Sequence, residues 1–415
     1  MKILFHNASI LTMKSPDIIK GDLVVLDKRV IYIGNDASSY APFDRVIECE
    51  GNLIMPGFKN AHAHSAMVFL KNKANADNLQ TWLFDIVFPR EKCLQPEDIY
   101  HLNNLAYLEY IQGGITACYE HYFFPVESAK AAHDFGFRTL LLGTYDEKKL
   151  SVEQLVKTYH LFNDVKDDLV TYSVGFHAEY TSSENDVKET KRALDILKAP
   201  FYTHISETNK EVEECYQKHG VSPVKYLDQN GMFAYGGGGY HCIHFNDEDI
   251  AIFKKHNLSV VSCPGSNQFL NSGVAPLRRY LDEGLNVALG TDGPASNDDL
   301  SMFHEMKLAA SLYPDIPSYD ILKMATVNGA KAMHMLDADT LDIGKYADII
   351  MLDVKSNDVI SSIVEDCSNK NVLLTMINGI VLYEKGKFFL KESVEEIYNR
   401  ANKIIERLEL DVLNR

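Results

Sequence analysis

Apolar and polar positions change texture three times along the chain. Residues 1 to about 55 carry short apolar and β-branched runs: Leu23-Val24-Val25-Leu26, Val30-Ile31-Tyr32-Ile33 and Arg45-Val46-Ile47-Glu48. Gly21-Asp22, Asp27-Lys28, Gly34-Asn35 and Gly51-Asn52 separate them with turn chemistry, so each run predicts a strand. The texture returns at 347–352 and 373–377, and Asn378-Gly379 then predicts a hairpin into 380–383. Two strand-rich ends around one middle predict a small β-sandwich domain built from residues 1–55 and 340–390. Between them, residues 56–339 alternate strand-like and helix-like runs. Candidate strands lie near 53–55, 115–119, 139–142, 171–176, 201–203, 233–240, 258–262 and 287–290. Pro96-Glu97-Asp98 opens a helix that closes at Gly113-Gly114, and Asn246 caps another that ends near Asn257. Eight strand–helix units predict an α/β fold, a (β/α)8 barrel of the TIM type, ahead of an open doubly wound sheet. Residues 391–415 read as an amphipathic terminal helix.

Charge and composition narrow the function classes. The 415 residues carry a formal net charge of −17. So acidic a surface repels a phosphate backbone and an anionic bilayer, so neither nucleic acid nor membrane is an expected partner. No apolar run reaches the roughly 18 residues of a membrane span. The first residues begin like a signal peptide, but His6, Asn7 and Lys14 break the apolar stretch too early. Seven cysteines are scattered with no C-x-x-C pair, which predicts reduced thiols and a cytoplasmic location. A homodimer is expected only because two-fold assemblies are common.

The histidines carry the chemistry. Candidate strands run into His62-Ala63-His64, His177, His204, His241 and Asp292. In a barrel these strand ends meet on one face. His-x-His on an extended segment points both rings the same way, because side chains alternate. Each histidine alone reads more simply as a packed or surface residue. Five strand ends furnished alike predict a site for one divalent ion. Imidazoles with one carboxylate suit either zinc or iron, and zinc is the expected ion.

Around these residues stand longer motifs. Pro56-Gly57-Phe58-Lys59-Asn60-Ala61-His62-Ala63-His64 opens the set, followed by Thr203-His204-Ile205-Ser206-Glu207 and His241-Cys242-Ile243-His244. Cys263-Pro264-Gly265-Ser266-Asn267 and Gly290-Thr291-Asp292-Gly293-Pro294-Ala295-Ser296-Asn297 complete it. In this order they resemble the amidohydrolase superfamily, and within it the methylthioadenosine/S-adenosylhomocysteine deaminase branch. Guanine deaminases and triazine chlorohydrolases are related to that branch. The resemblance implies that His62, His64, His204 and Asp292 bind the ion. It also implies that Glu207 moves a proton onto the ring nitrogen and helps the amine leave. His241 and Asp292 would orient the attacking water. Trp82, Glu91, His177 and Ser296 would contact base or sugar, with Glu91 accepting from ribose hydroxyls. The implied reaction is hydrolytic deamination of an aminated purine carried by an adenosine-type nucleoside: methylthioadenosine, 5′-deoxyadenosine, adenosine or S-adenosylhomocysteine. The other readings are a guanine, pterin, pyrimidine or triazine substrate and, more remotely, a non-catalytic scaffold.

The chain also departs from the pattern. Glu179 replaces a usual proline after His177-Ala178, and His121 replaces a usual methionine in Cys118-Tyr119-Glu120-His121-Tyr122-Phe123. Both read first as local neighbours on the barrel rim, with membership of a different pocket as the other reading. Beyond Arg138, no second arginine is evident that would clamp an amino-acid carboxylate. No lysine stands at a strand end in a motif, so a carboxylated lysine and a second metal are not expected.

Overall fold

The computed structural model describes residues 1–74, 79–145, 150–165, 168–297 and 299–413. Five strands come first: β1 (Lys2–Leu11), β2 (Ile18–Leu26), β3 (Arg29–Gly34), β4 (Arg45–Glu48) and β5 (Leu53–Pro56). Eight follow in the middle: β6 (Phe58–Ala63), β7 (Ile115–Glu120), β8 (Arg138–Thr144), β9 (Val170–Ala178), β10 (Phe201–Ile205), β11 (Gly237–His241), β12 (Ser259–Ser262) and β13 (Asn286–Leu289). The last four are β14 (Ile349–Leu352), β15 (Val372–Ile377), β16 (Ile380–Glu384) and β17 (Lys387–Phe388).

Both chain ends build one mixed sheet, ordered β17-β16-β15-β14-β5-β1-β2-β3, with β4 beside the first half of β1. Strand alternation gives it two buried faces. Ile54, Ile349 and Met351 point into a core of the sheet's own, with Ile3 and Phe5. Leu53, Met55, Ile350 and Leu352 point into the larger core shared with the barrel.

The run at 53–55 is therefore a strand, but not the first strand of the barrel. It pairs with β14 antiparallel and with β1 in parallel. A continuous apolar run fits either sheet, and only long-range pairing decides between them. The barrel begins instead at β6, where Lys59 and Asn60 are fully buried. The Lys59 ammonium donates to Gly57 O (3.0 Å) and Thr116 Oγ1 (2.8 Å), and burial pushes its pKa down to about 8. The strand expected at 233–240 begins only at Gly237. There a Cβ would lie 1.9 Å from Phe201 O, so the glycine run lets β11 approach β10.

The middle strands form a parallel sheet in chain order from β6 to β13. A parallel bridge between Ala63 and Asp292 closes it into a barrel, with Asp292 N–H donating to His62 O at 3.0 Å. At this seam a Cβ on Gly290 would stand 2.8 Å from the His62 backbone nitrogen, so only glycine fits. Tyr119, Tyr202, Tyr240 and Leu142 fill the interior, so the barrel is a packed core. At its lower end Arg138 makes a fork to Asp348 (Nε to Oδ2 2.7 Å, NH2 to Oδ1 3.0 Å), joining barrel to terminal sheet. The terminal helix, Val394–Leu413, buries Ile397, Ala401 and Leu408 and packs on helix Pro96–Gln112. Among the described residues no helix is long and apolar enough to cross a membrane. All seven cysteines are free and buried.

Candidate active site

The upper ends of the barrel strands bring the expected residues together. His62 and His64 lie at the end of β6. The His62 ring is fully buried and stacks on Tyr240 at 3.8 Å. Neither of its nitrogens has a hydrogen-bond partner, and Nε2 lies 3.4 Å from Asp292 Oδ1. His64 donates Nδ1–H to His121 O, and His204 donates Nδ1–H to His177 O at 2.7 Å. A carbonyl only accepts, so each of these rings carries its proton on Nδ1 and a lone pair on Nε2. The two Nε2 atoms face each other at 3.3 Å. Facing lone pairs repel unless a cation lies against both. His64 Nε2 is also 3.3 Å from Asp292 Oδ1. Zinc–nitrogen distances of about 2.0–2.1 Å give a tetrahedron with edges of about 3.3–3.4 Å. The donor set thus fits a divalent ion in both spacing and chemistry.

Neighbouring loops orient these donors. Asp292 Oδ2 accepts from Ser266 Oγ (2.6 Å) and Ser296 Oγ (3.2 Å), leaving Oδ1 toward the histidines. His241 donates Nδ1–H to Asn267 Oδ1 at 2.8 Å. Its Nε2 then points at Glu207 Oε2 (3.8 Å) and Asp292 Oδ2 (3.9 Å). Glu207 Oε1 accepts from Ser272 Oγ at 3.0 Å. Ser206, His241 and Asp292 hold left-handed backbone, with φ of 50°, 67° and 57°. Non-glycine residues rarely adopt it, and such strain gathers where function holds it in place.

The electrostatics separate ligands from proton carriers. Burial pushes the His62 and His177 imidazoles down to about 3, so both stay neutral and their lone pairs stay free. Burial works against the Asp292 charge, but His62, His64 and His241 hold the carboxyl well below its usual range. Burial, reinforced by Asp292, raises the Glu207 carboxyl despite the opposing pull of His241. His241 is raised: burial opposes its charge, and the Glu207 and Asp292 carboxylates outweigh that.

The residues expected at the substrate side divide. The Trp82 indole is buried and donates to Ala295 O at 3.3 Å, in the loop after Asp292. The His177 ring lies 4.6 Å from that of His204, tilted by 38°, and its Nδ1 meets Thr181 Oγ1 at 3.0 Å. Glu91 ends the short helix Phe88–Glu91 and neighbours the buried Tyr122 hydroxyl. The Ser296 hydroxyl engages Asp292 and Ser266. Glu179 accepts from Lys218 Nζ and His219 Nε2, both at 2.9 Å, on helix Asn209–His219. Arg138 lies at the far end of β8, paired with Asp348. Asp146 and Glu147, in the segment after β8, fall outside the described residues. His121 differs from expectation. Rather than sitting on the rim, its ring lies 5.2 Å from that of His204 and 5.4 Å from that of His64.

Three buried acids escaped the sequence reading. Glu211 accepts from the backbone N–H of Ser206 (2.7 Å) and Glu207 (2.8 Å), fixing the turn that aims Glu207. Glu305 accepts from Gly265 N (2.9 Å) and Asn297 Nδ2 (2.6 Å), joining the loops that carry Ser266, Asn267 and Ser296. Glu120 accepts from Ser65 N at 3.0 Å, next to His64. Burial pushes Glu120 and Glu305 up to about 8 and Glu211 to about 7. Only Glu211 had a local signal, as the acidic residue in the first turn of the helix that Thr208 caps.

Residues 53–382 match the model of the amidohydrolase family. A 5-methylthioadenosine/S-adenosylhomocysteine deaminase of Caldanaerobacter subterraneus subsp. tengcongensis is 35% identical over 428 residues, covering 98% of this chain and 99% of that protein. The protein of the same name from Thermoanaerobacter pseudethanolicus is 36% identical over 438 residues, covering 98% and 100%. Among solved structures, a zinc-bound adenosine deaminase from Xanthomonas campestris superposes with a TM-score of 0.90 at 24% identity, covering 98% of both chains. At that identity the likeness speaks for the fold. The family match spans most of the chain, and the chain belongs to the amidohydrolase family.

Proposed function

We propose that the protein is a metal-dependent aminohydrolase that replaces the exocyclic amine of an adenosine-type nucleoside with oxygen and releases ammonia. The observation that carries this reading is the pair of imidazole lone pairs facing each other beside a buried carboxylate, with Glu207 close by. His62, His64, His204 and Asp292 would hold the ion, zinc ahead of iron. When bound, such an ion supplies Lewis acidity and makes water a competent nucleophile near neutral pH. Glu207 lies outside both groups of clustered donors, and burial raises its pKa above the usual carboxylate value. It would take one proton from the attacking water and pass it to the ring nitrogen, then carry the remaining hydroxyl proton from the added oxygen to the exocyclic amine, so that the C–N bond breaks, ammonia leaves and the carbonyl forms. His241, fixed by Asn267, would hold a proton toward the same point and stabilise charge on the attacking oxygen. His177, Trp82 and Glu91 would line the nucleoside side, with Ser296 acting through Asp292.

The relatives named above act, by their names, on methylthioadenosine and S-adenosylhomocysteine. Arg138 is committed to Asp348, so the smaller nucleosides are the preferred candidates here. Seven free thiols suit a cytoplasmic enzyme, and a homodimer is the assembly to test. The deciding experiment measures ammonia release by the zinc-loaded protein. Its panel is adenosine, methylthioadenosine, 5′-deoxyadenosine, S-adenosylhomocysteine, guanine, cytosine and a pterin. Turnover confined to guanine, cytosine or the pterin would reject the nucleoside reading. Silence on all of them with metal bound would favour the scaffold.

A further inference from the structure

His121 occupies a place in the cluster that none of the roles above uses. It follows β7, where its ring stacks on His204 with 29° between planes. The residue is 7% exposed, and its Nδ1 is buried with no hydrogen-bond partner. An unpaired buried nitrogen costs about 1–3 kcal/mol, so a partner is expected there. The adjacent carboxylate does not supply one, because Glu120 accepts from Ser65 N. The nearest rings are those of His64 and His204, whose own protons are engaged by carbonyls. They leave only lone pairs on the inner side.

One donor atom each of His64, His121 and His204 lies within 4.8 Å of the others. Donors of one tetrahedral ion stand about 3.3–3.4 Å apart, so an ion shared by these three would draw the nitrogens toward that spacing. A second group, His62, His204, His241 and Asp292, clusters to the same limit. The two groups share His204. Its single free lone pair can bind one ion only, so the two groups cannot describe two ions held at once.

We infer that His121 is an additional ligand of the one resident ion, an imidazole offered beside those of His64 and His204. It gives the ion a richer nitrogen environment than His62, His64, His204 and Asp292 supply alone. The inference rests on the metal site but not on the choice of substrate.

The test uses the full chain, stripped by chelator and reloaded with Zn²⁺. His121→Phe keeps a ring and removes the donor, and His121→Met offers a flexible apolar replacement. Circular dichroism of the metal-free forms checks that both variants fold. Metal per chain, affinity by chelator competition and the number of imidazoles seen by X-ray absorption are then compared. We expect one ion per chain throughout, one imidazole fewer in both variants and affinity weakened about 10–100-fold, the range found for supporting residues of metal sites. Unchanged affinity with an unchanged imidazole count overturns the inference. Two ions per wild-type chain, falling to one in the variants, overturns it in favour of a second site. A wild-type chain that holds no ion, like a His62→Ala control, would instead overturn the metal reading itself.

Discussion

Glu207→Gln separates proton transfer from everything else the site does. The side chain keeps its shape, and its amide can still meet Ser272 Oγ, now at 3.0 Å from the carboxylate. What is lost is a proton carrier. General acid–base catalysis by one positioned group is worth about 10²–10⁴ in rate, or about 2.7–5.5 kcal/mol at the transition state. A second effect follows from the 3.8 Å separation of Glu207 Oε2 and His241 Nε2. At an effective dielectric of about 20, full charges that far apart attract by about 4 kcal/mol. Losing the carboxylate should therefore lower the proton affinity of His241 as well. Stability should not fall, because burial already disfavours the Glu207 charge. Metal content should stay at the wild-type value, since Glu207 belongs to neither donor cluster. The assay combines steady-state ammonia release, metal analysis and a thermal melt on the same preparation. Full activity with metal bound would refute the proton-transfer role. Loss of the ion would instead make Glu207 a ligand.

Removing the metal should lower the melting temperature, and Zn²⁺ should restore it. Free ion at 1,000 times its Kd contributes about 4 kcal/mol, and identical melts with and without chelator would contradict a structural coupling of the ion. Arg138→Ala leaves Asp348 buried without its partner and should cost about 3–5 kcal/mol in denaturant unfolding, while Asp348→Asn added to it should recover part of the loss. Burial raises the Glu305 carboxyl from about 4.5 in the unfolded chain to about 8 in the folded one, so the folded state holds the proton more tightly. That contribution is fully present below about pH 4.5 and is lost as pH rises through about 8, at about 1.4 kcal/mol per unit. Denaturant melts at pH 5 and at about pH 8.5 should show a smaller decline for Glu305→Gln than for wild type, and parallel declines would count against the assignment.

Legibility in the sequence followed the range of the interactions. Barrel strands such as β8, β10 and β12 are short apolar runs with nearby turn signals, and they lie where local pattern places them. The metal-type residues stood out because each terminates such a run. β1 was missed as a strand because a bulge between Phe5 and Ala8 exposes His6 and Asn7 and breaks the alternation. Asn267, Ser272 and Glu305 act on His241, Glu207 and Gly265 across 26 to 65 residues of chain, and no local pattern records such a pairing. The Ser296 hydroxyl was legible as a site residue, but its partner was not. Its position four residues after Asp292 in a tight turn turns it back onto that carboxylate.

The pairing of β5 also orders events during synthesis. One edge of Leu53–Pro56 meets β1, which is already made when it emerges. Its other edge waits for Ile349–Leu352, which is translated only after all eight barrel strands. Through that interval an apolar strand with no charged residue of its own presents unpaired N–H and C=O groups, the kind of edge that recruits wrong partners. Two residues further on, the same segment becomes β6 and carries His62. The stretch that delivers the first ligands is thus exposed to mispairing longest, and β14, translated only after the whole barrel, is the strand that protects it.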